Sequence, residues 1–290
     1  MTHGTTVHEL GFRRLDPLPT AEELRSFYGE EYYEELGSDE RRGPELERLR
    51  DAMAANTERD WLEQTLYTDV RAHLAELGIE GGRLLDVGCG TGDFLVSMQA
   101  AGWEVSGTEL SASAVLMCRE RGLDVTRTEL QALDAEPGSF DVVTLFNVLE
   151  HVLDPVDDLA HVTTLLRPGG VAIMQVPNDF SLLQDAATQH TGHDNWWVAV
   201  PDHLSYFDFD SLERTARACG LDPVLRTCSF PMELFLLLGT DYLGDPEQGP
   251  IAHRRRQAVE LSLDGATRRA LAQSFAAGGM GRNCVVVARA

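Results

Sequence analysis

The chain has 290 residues, of which 43% are apolar, and it carries 24 basic and 47 acidic side chains for a formal net charge of −23. This length and apolar content suffice for one large domain with additions, and the negative charge disfavours nucleic acid as a partner because basic side chains supply most of the affinity for phosphates. The sequence contains no lysine, which excludes a P-loop and any enzyme that forms a Schiff base through lysine.

The cysteines indicate a reducing compartment. They are odd in number, dispersed and never arranged as C-x-x-C: Cys89, Cys118, Cys219, Cys228 and Cys284. This usage is typical of free thiols in a cytoplasmic protein. Residues 1–18 lack the apolar core of a signal peptide, and no apolar run reaches the length of a membrane span. We therefore expect a cytoplasmic protein without a membrane partner.

The N-terminal region carries a helix signal followed by aromatic residues. Thr20 and Glu23 form a capping box that predicts a short helix. The aromatic cluster that follows includes Tyr32 and Tyr33, whose rings can enclose a cation. We expect residues 1–56 to form a helical lid segment in which these tyrosines contact the substrate. The alternative is that the aromatic rings anchor the segment on the core.

A glycine-rich turn follows the first predicted strand, Arg83–Val87, and leads into a helix. Gly88, Gly90 and Gly92 form a G-x-G-x-G pattern there, and glycine permits both a tight turn and close approach of a ligand to the main chain. A dinucleotide fingerprint requires its third glycine at position 93, which is Asp93. The turn is therefore predicted to bind a ligand other than a dinucleotide.

Acidic side chains flank this turn and indicate the charge of the ligand. Asp86 precedes the glycines and Asp93 follows them, so a pyrophosphate would be repelled and a cation favoured. Glu109 ends the next predicted strand, 23 residues after Asp86, where a carboxylate can accept hydrogen bonds from two ribose hydroxyls. A cofactor with a sulfonium, an ammonium group and a ribose fits this arrangement, and we predict S-adenosylmethionine.

Four segments in order carry a family resemblance: the turn at 86–92, the acid Glu109, the segment 140–151 and the Leu-Arg-Pro-Gly-Gly motif at 166–170. On these motifs the chain resembles the class I S-adenosylmethionine-dependent methyltransferases, and within them the ubiquinone-type small-molecule methyltransferases. The resemblance covers residues 61–224 and the last strand. It implies cofactor contacts from Asp86, Gly88, Cys89, Gly90, Gly92, Glu109, Leu110, Leu130 and Asn147.

The alternation of strands and helices predicts the fold. We expect an α/β architecture, a Rossmann-like doubly wound sheet of seven mostly parallel strands with an antiparallel last strand, plus a largely helical cap. Residues 57–290 would form the methyltransferase core. Insertions at 178–207 and 230–282 would join the N-terminal segment in a cap over the methyl end of the cofactor.

Candidate catalytic residues follow from the need of a hydroxyl acceptor for a general base. We consider His203, His151 and Glu233, with Glu150 and the two lid tyrosines as further candidates. His203 and His151 could instead be structural, and Glu233 is either an anchor for a substrate ammonium or a solvent-facing residue. Substrate contacts are expected from the aromatic residues Tyr32, Tyr33, Trp196, Trp197 and Tyr206.

A metal site is not predicted. His190 and His193 could be joined by His203, but their spacing lacks the helical i, i+4 geometry of zinc motifs and no cysteine is near them.

These observations favour a methyltransferase that acts on a nitrogen or oxygen of a small polar metabolite, in a specialised biosynthetic pathway. One alternative is N-methylation of a cationic amine or guanidine, held by acids such as Glu233 and those of residues 30–35. Another is a catalytically silent cofactor-binding module whose cap is a partner surface. Monomer and homodimer both remain open.

Overall fold

A computed structural model describes residues 4–20 and 52–290 of the chain. The predicted helix after Thr20 and the lid tyrosines Tyr32 and Tyr33 lie outside these described residues. The described strands are β1 Gly4–Val7, β2 Arg13–Asp16, β3 Arg83–Val87, β4 Glu104–Glu109, β5 Asp124–Arg127, β6 Phe140–Phe146, β7 Leu166–Pro177, β8 Ser205–Tyr206, β9 Asp222–Cys228 and β10 Asn283–Arg289.

The helices connect these strands in alternation. They are α1 Ala52–Leu62, α2 Thr68–Glu76, α3 Asp93–Ala100, α4 Ala112–Glu120, α5 Pro155–Leu165, α6 Leu182–Thr191, α7 Phe209–Ala218, α8 Glu233–Leu237, α9 Gln248–Ser262 and α10 Gly265–Ala277. One π-helical turn, Glu63–Tyr67, joins α1 to α2, and a 3₁₀ turn, Leu130–Ala132, follows β5.

A seven-stranded sheet forms the framework, with the strand order β5-β4-β3-β6-β7-β10-β9. The pairs β3–β4, β4–β5 and β6–β7 are parallel, whereas β10 runs antiparallel to both β7 and β9. The predicted Rossmann-like sheet with an antiparallel last strand is therefore confirmed. Its central strands are continuous apolar runs, as expected for strands that are buried on both faces.

Residue contacts divide the chain into two compact units: residues 19–134, which we call the turn unit, and residues 1–18 with 135–290, which we call the insertion unit. In the turn unit, β3 contributes Leu84 and Leu85, which are almost completely buried. Ser111 caps α4 by accepting a hydrogen bond from the backbone N–H of Ala114. These features place the glycine turn at the carboxyl end of a buried strand.

The insertion unit contains a second, three-stranded sheet of order β1-β2-β8. Gly4–Val7 and Arg13–Asp16 are thus strands joined by a turn where a helical lid segment was predicted. This arrangement buries the side chains of Phe12 and Leu15. The segment 230–282 contains α8, α9 and α10. Of these helices, α8 contacts α6, whereas α10 contacts the edge strand β9.

Capping residues begin two helices of the insertion unit. The helix α6, within the insertion at 178–207, begins with a capping box between Ser181 and Gln184. The next helix, α7, is capped by Asp208, which accepts a hydrogen bond from the backbone N–H of Ser211. Among the described residues, no helix is both long enough and apolar enough to cross a bilayer.

Candidate active site

The glycine turn has the backbone geometry that its sequence requires. Gly88, Gly90 and Gly92 have positive φ angles of 65°, 53° and 77°, which side chains with a Cβ rarely adopt. A Cβ on Gly92 would lie 2.5 Å from Leu123 Cδ1. A Cβ on Gly90 would meet no atom within 4 Å. Gly92 is therefore required by packing inside the protein, whereas the main chain at Gly90 borders open space.

Glu109 ties this turn to the end of β4. Its Oε2 accepts a hydrogen bond from the backbone N–H of Gly90 at 2.9 Å, and its Oε1 accepts from the N–H groups of Leu110 at 2.7 Å and Ser111 at 2.9 Å. An ionised carboxylate offers about four acceptor positions. The three backbone bonds orient the carboxylate and leave acceptor capacity for a hydroxyl.

The other predicted cofactor residues of the turn unit differ in exposure. Asp86 and Leu130 are buried, whereas Leu110 is 46% exposed. Cys89 is buried, and burial together with the nearby charge of Asp86 raises the pKa of its thiol far above the usual range. Cys89 is therefore a neutral packing residue rather than a thiolate.

Asp93 does not present the free charge that the sequence argument assigned to it. Its Oδ1 accepts hydrogen bonds from Arg59 Nε at 3.0 Å and from Arg121 Nη2 at 2.7 Å. Its Oδ2 accepts a hydrogen bond from Thr91 Oγ1 at 3.0 Å. Two arginines neutralise this carboxylate, so the acidity of the turn rests on Asp86 and Glu109.

In the insertion unit, Asn147 follows β6 with a positive φ of 57°. Its backbone N–H donates to the carbonyl oxygen of Gln175 at 2.8 Å, and Gln175 Nε2 donates back to Asn147 Oδ1 at 2.8 Å. The Asn147 amide nitrogen donates to Glu150 Oε1 at 3.0 Å. Asn147 thus orients Glu150, and a direct contact of Asn147 with the cofactor stays a prediction.

Glu150 is a buried carboxylate with one unused oxygen. Its side chain is 1% exposed, and its Oε2 has no hydrogen-bond partner among the described residues. Burial raises its pKa, against the opposing effect of His151. An unsatisfied buried carboxylate oxygen is costly unless a ligand completes it.

His151 lies between this carboxylate and Asp202. Its Nδ1 donates to the carbonyl oxygen of Asp202 at 2.8 Å and lies 3.4 Å from the Asp202 carboxylate, while its Nε2 lies 3.8 Å from Glu150 Oε1. Burial alone would lower the pKa of His151, but the bond to Asp202 and the charge of Glu150 outweigh it and raise the pKa to about 9. The ring is thereby fixed in orientation and made strongly basic.

The aromatic candidates form a series of ring contacts that begins at this histidine. The ring of His203 contacts that of His151 edge-on, with 5.0 Å between centroids. The hydroxyl of Tyr206 donates to the carbonyl oxygen of His203 at 3.0 Å. Trp197 is buried, packs edge-on against Trp196 at 4.8 Å and contacts Phe180 at 5.5 Å, and Phe180 in turn contacts Tyr206 at 6.0 Å.

Glu233 is buried rather than solvent-facing, which removes one of the two alternatives set out for it. It is the first residue of α8, its side chain is 1% exposed, and its Oε1 lies 3.3 Å from Arg282 Nη1.

One group of side chains in the described part of the chain has spacing suitable for a metal ion. The carboxylate of Glu150 and one ring nitrogen each of His151 and His203 lie within 4.8 Å of one another. The sequence-based alternative of His190, His193 and His203 does not assemble, because His193 Nε2 instead bonds Asp241 at 2.7 Å.

The comparisons with known proteins bear on this site. Residues 57–225 match the family described as "Methyltransferase domain". The chain belongs to this family. With its seven-stranded sheet it is a class I S-adenosylmethionine-dependent methyltransferase, and the predicted family and cofactor are confirmed.

Curated relatives are ubiquinone biosynthesis O-methyltransferases. The protein from Methylococcus capsulatus is 34% identical over 51% of this chain and 66% of its own length, and the protein from Thiobacillus denitrificans is 41% identical over 54% and 69%. Others, such as that from Ralstonia nicotianae, are matched over 45% of their length. The chain thus spans about half to two thirds of the relatives that it matches. One solved structure with the same fold is a complex from Haloferax volcanii, between the Trm112 methyltransferase activator and a protein described as a methyltransferase. The matched chain is 16% identical, with a TM-score of 0.51, and the match covers 82% of this chain and 94% of that chain.

The residues of the turn fit S-adenosylmethionine. The open space at Gly90 admits a ligand against the main chain, Glu109 retains acceptor capacity for a ribose hydroxyl, and Asp86 supplies negative charge in the same unit. When bound, the cofactor supplies an electrophilic methyl group.

Three charged residues of the insertion unit were not predicted from the sequence. Asp202 holds His151, Arg282 pairs with Glu233, and Asp179 has a buried carboxylate oxygen without a hydrogen-bond partner among the described residues. Asp202 immediately precedes the candidate His203, so an acid beside a histidine was a usable signal. Asp179 and Arg282 lie 103 positions apart, and no local pattern connects them.

Proposed function

We propose that this protein transfers the methyl group of S-adenosylmethionine to a hydroxyl oxygen of a small polar metabolite, with His151 as the general base. The observation that carries the proposal is the placement of His151 between Asp202 and the buried Glu150. The O-methyltransferase names of the curated relatives support the same reaction type.

The hydrogen bond to Asp202 determines which nitrogen can act. A carbonyl oxygen can only accept, so Nδ1 carries the proton and the basic lone pair of the neutral ring is on Nε2. Nε2 takes the hydroxyl proton as the carbon–oxygen bond forms and the sulfur–methyl bond breaks, which leaves S-adenosylhomocysteine. The neighbouring carboxylates of Asp202 and Glu150 stabilise the resulting imidazolium. Such positioned bases contribute about 10²–10⁴-fold to a rate.

The raised pKa of His151 suits a weakly acidic hydroxyl. A base with a pKa of about 9 is close to a phenolic hydroxyl, whose ordinary pKa is about 10, so the proton transfer is nearly balanced. The same raised pKa keeps most of the histidine protonated at neutral pH, and the active fraction grows as the pH rises.

Tyr206, Trp197 and the ring of His203 support binding of the acceptor. The ring of His203 contacts His151 and Tyr206, and Trp197 is joined to Tyr206 through Phe180. Aromatic faces bury apolar surface of a small molecule and exclude water from the reacting atoms.

A second candidate for the same group is a divalent cation. Glu150, His151 and His203 have suitable spacing, and a cation there would acidify the acceptor hydroxyl directly. It would first have to displace the proton that the raised pKa of His151 favours.

The five cysteines form no disulfide with one another, which supports the proposal of a reducing, cytoplasmic location. We also propose that the acceptor is a small molecule and that nucleic acid is not a partner. The proposal is compatible with a monomer and with a homodimer.

The test is transfer of isotopically labelled methyl from S-adenosylmethionine into bacterial small-molecule extracts, followed by mass spectrometry of the labelled products. A product with the label on oxygen is expected. Label on nitrogen would favour N-methylation of an amine, and cofactor binding without any labelled product would favour a catalytically silent module.

With the acceptor identified, removal of divalent cations by a chelator should leave turnover unchanged. Loss of turnover that zinc or magnesium restores would favour the metal candidate.

A further inference from the structure

The insertion unit contains a second buried group of charges that the proposed chemistry does not use. Asp179 follows β7, and Glu233 begins α8, and both side chains are more than nine-tenths buried. Arg282, just before β10, donates to Glu233 Oε1 at 3.3 Å. The carbonyl oxygen of Arg282 accepts a hydrogen bond at 3.0 Å from the backbone N–H of Asn178, the residue before Asp179, which brings the two segments together. In agreement with this contact, the charge of Arg282 lowers the pKa of Asp179 and the charge of Glu233 raises it.

Two carboxylate oxygens of this group are unsatisfied. Gln184 Nε2 donates weakly to Asp179 Oδ1 at 3.4 Å, but Asp179 Oδ2 and Glu233 Oε2 are buried without a hydrogen-bond partner among the described residues. The hydroxyl of Tyr242 is also buried without a hydrogen-bond partner among the described residues, and burial together with the charge of Glu233 raises its pKa. Buried oxygens of this kind are normally completed by a donor.

The charges of the group are unbalanced, because Arg282 supplies one positive charge against the two carboxylates of Asp179 and Glu233. Burial, and then the charges of Glu150 and Glu233, raise the pKa of Asp179 to about 7 against the opposing effect of Arg282. A second cation would balance the group, whereas a further anion would increase the imbalance.

Aromatic side chains follow Asp179 in the chain and pack on one another. Phe180, the next residue, contacts Trp197 at 5.5 Å and Tyr206 at 6.0 Å between ring centroids. The guanidinium of Arg13 lies 4.3 Å from the centre of the Phe180 ring, so this aromatic ring already contacts one organic cation. Carboxylates combined with aromatic faces are the groups by which proteins bind organic ammonium ions, whereas metal ions prefer oxygen or nitrogen ligands alone.

We propose that Asp179 and Glu233 bind a protonated amine of the acceptor, so that the acceptor is a small metabolite carrying both an ammonium group and the hydroxyl that is methylated. This inference deepens the proposed function and depends on it for the identity of the hydroxyl. The ammonium donates to Asp179 Oδ2 and Glu233 Oε2, and it replaces the missing positive charge beside Arg282.

Two matched pairs of probes test the inference by equilibrium binding, without methyl transfer. Tyramine is compared with 4-ethylphenol, and glucosamine with glucose, by isothermal titration calorimetry of the full chain with saturating S-adenosylhomocysteine. We expect the ammonium member to bind at least tenfold more tightly in one or both pairs. Equal binding within both pairs, or no binding of any of the four compounds, would overturn the inference.

Variants assign the preference to the proposed residues. Asp179→Asn and Glu233→Gln should each reduce affinity for the ammonium probe about tenfold and leave its neutral counterpart within twofold. Asp185→Asn, which removes an exposed acid from the first turn of α6, is the matched control and should change neither. If the ammonium preference survives both buried substitutions, the cation is bound elsewhere and the inference is wrong.

The pH dependence of this binding gives an independent readout. Ammonium affinity should fall as the pH drops below about 7, because Asp179 takes up a proton. The groups that act on this carboxyl, or on which it acts, are Arg282, Glu150, Glu233, Tyr206 and Cys284. The decline should be absent in Asp179→Asn. Turnover of a neutral hydroxyl acceptor, measured separately, reports on the proposed function alone.

Discussion

The glycine turn and the acidic region of the insertion unit, by which we mean Glu150, Asp179, Glu233 and the neighbouring Arg282, differ in how far their buried polar atoms are hydrogen-bonded. In the turn unit, no buried side-chain nitrogen or oxygen between residues 83 and 130 lacks a hydrogen-bond partner, and Glu109 alone accepts three backbone N–H groups. In the insertion unit, single oxygens of Glu150, Asp179 and Glu233 are buried without one. One region is complete as folded, and the other holds groups that a ligand would complete.

This difference matches the two tasks of a methyltransferase. The cofactor is the same for the whole family, so its site can be built from backbone geometry that needs few specific side chains. The acceptor differs from enzyme to enzyme, and discrimination between acceptors requires buried polar groups that a wrong compound leaves unpaired. Four substitutions test whether the turn binds the cofactor and the acidic region binds the acceptor, from the largest expected effect to the smallest.

Replacement of His151 by Asn should abolish most turnover without affecting the turn. Asn can still donate to the carbonyl of Asp202, but it cannot accept the hydroxyl proton, so kcat should fall about 10²–10⁴-fold. The Kd for S-adenosylmethionine, measured by calorimetry, should stay within threefold. His190→Asn, at an exposed position of α6, is the control; near-normal turnover in His151→Asn would refute the assigned role.

Replacement of Gly90 by Ala should weaken cofactor binding while the fold is retained. The added methyl group meets no protein atom but occupies space beside the main chain where the cofactor is expected, so Kd should rise about 10–100-fold. Gly122→Ala is the matched control, since Gly122 also has a positive φ of 77° and open space around its Cβ position. Both variants carry a backbone cost of about 1–2 kcal/mol. Equal cofactor affinity in the two variants would contradict the placement of the ligand.

Replacement of Asp179 by Asn should stabilise the ligand-free protein at neutral pH. The folded-state pKa of Asp179 is about 7, above its ordinary value of 3.8, so ionisation penalises the folded state increasingly from pH 4 to 7. Removal of the charge should raise the free energy of unfolding by up to about 4 kcal/mol at pH 7 and by less than about 1 kcal/mol at pH 4. Denaturant titrations at both pH values measure this difference, and a loss of stability at pH 7 would show that the carboxylate is already satisfied.

Replacement of Arg59 by Gln should have the smallest effect. Arg59 is about half exposed and shares Asp93 with Arg121, so its loss should cost less than about 1 kcal/mol of stability. Cofactor Kd should stay within threefold because Arg121 still neutralises Asp93. A large gain in affinity would show that Asp93 acts on the cofactor after all.

The sequence predicted the turn and the sheet well because their determinants are local. Gly88, Gly90 and Gly92 lie within five positions, and Glu109 ends the adjacent strand of the same unit, so spacing alone defines the arrangement. The helix α6 was missed although Ser181 and Gln184 carry a usable capping signal.

The acidic region could not be predicted in the same way because distant segments assemble it. Asp179, Glu233 and Arg282 belong to three separate elements, and Glu233 looked equally suited to a solvent-facing position until its burial was known. His151 was assigned with its role left open, since the partner that fixes it, Asp202, lies 51 residues away. Pairing of this kind depends on tertiary structure rather than on local pattern.

The pH dependence of kcat/KM between pH 6 and 10 tests the central claim most directly. With a hydroxyl acceptor that does not itself titrate in this range, kcat/KM should rise tenfold per pH unit and level off near pH 9, where His151 loses its proton. The rise should be absent in His151→Asn. A wild-type profile that is flat from pH 6 to 10 would contradict general-base catalysis by His151.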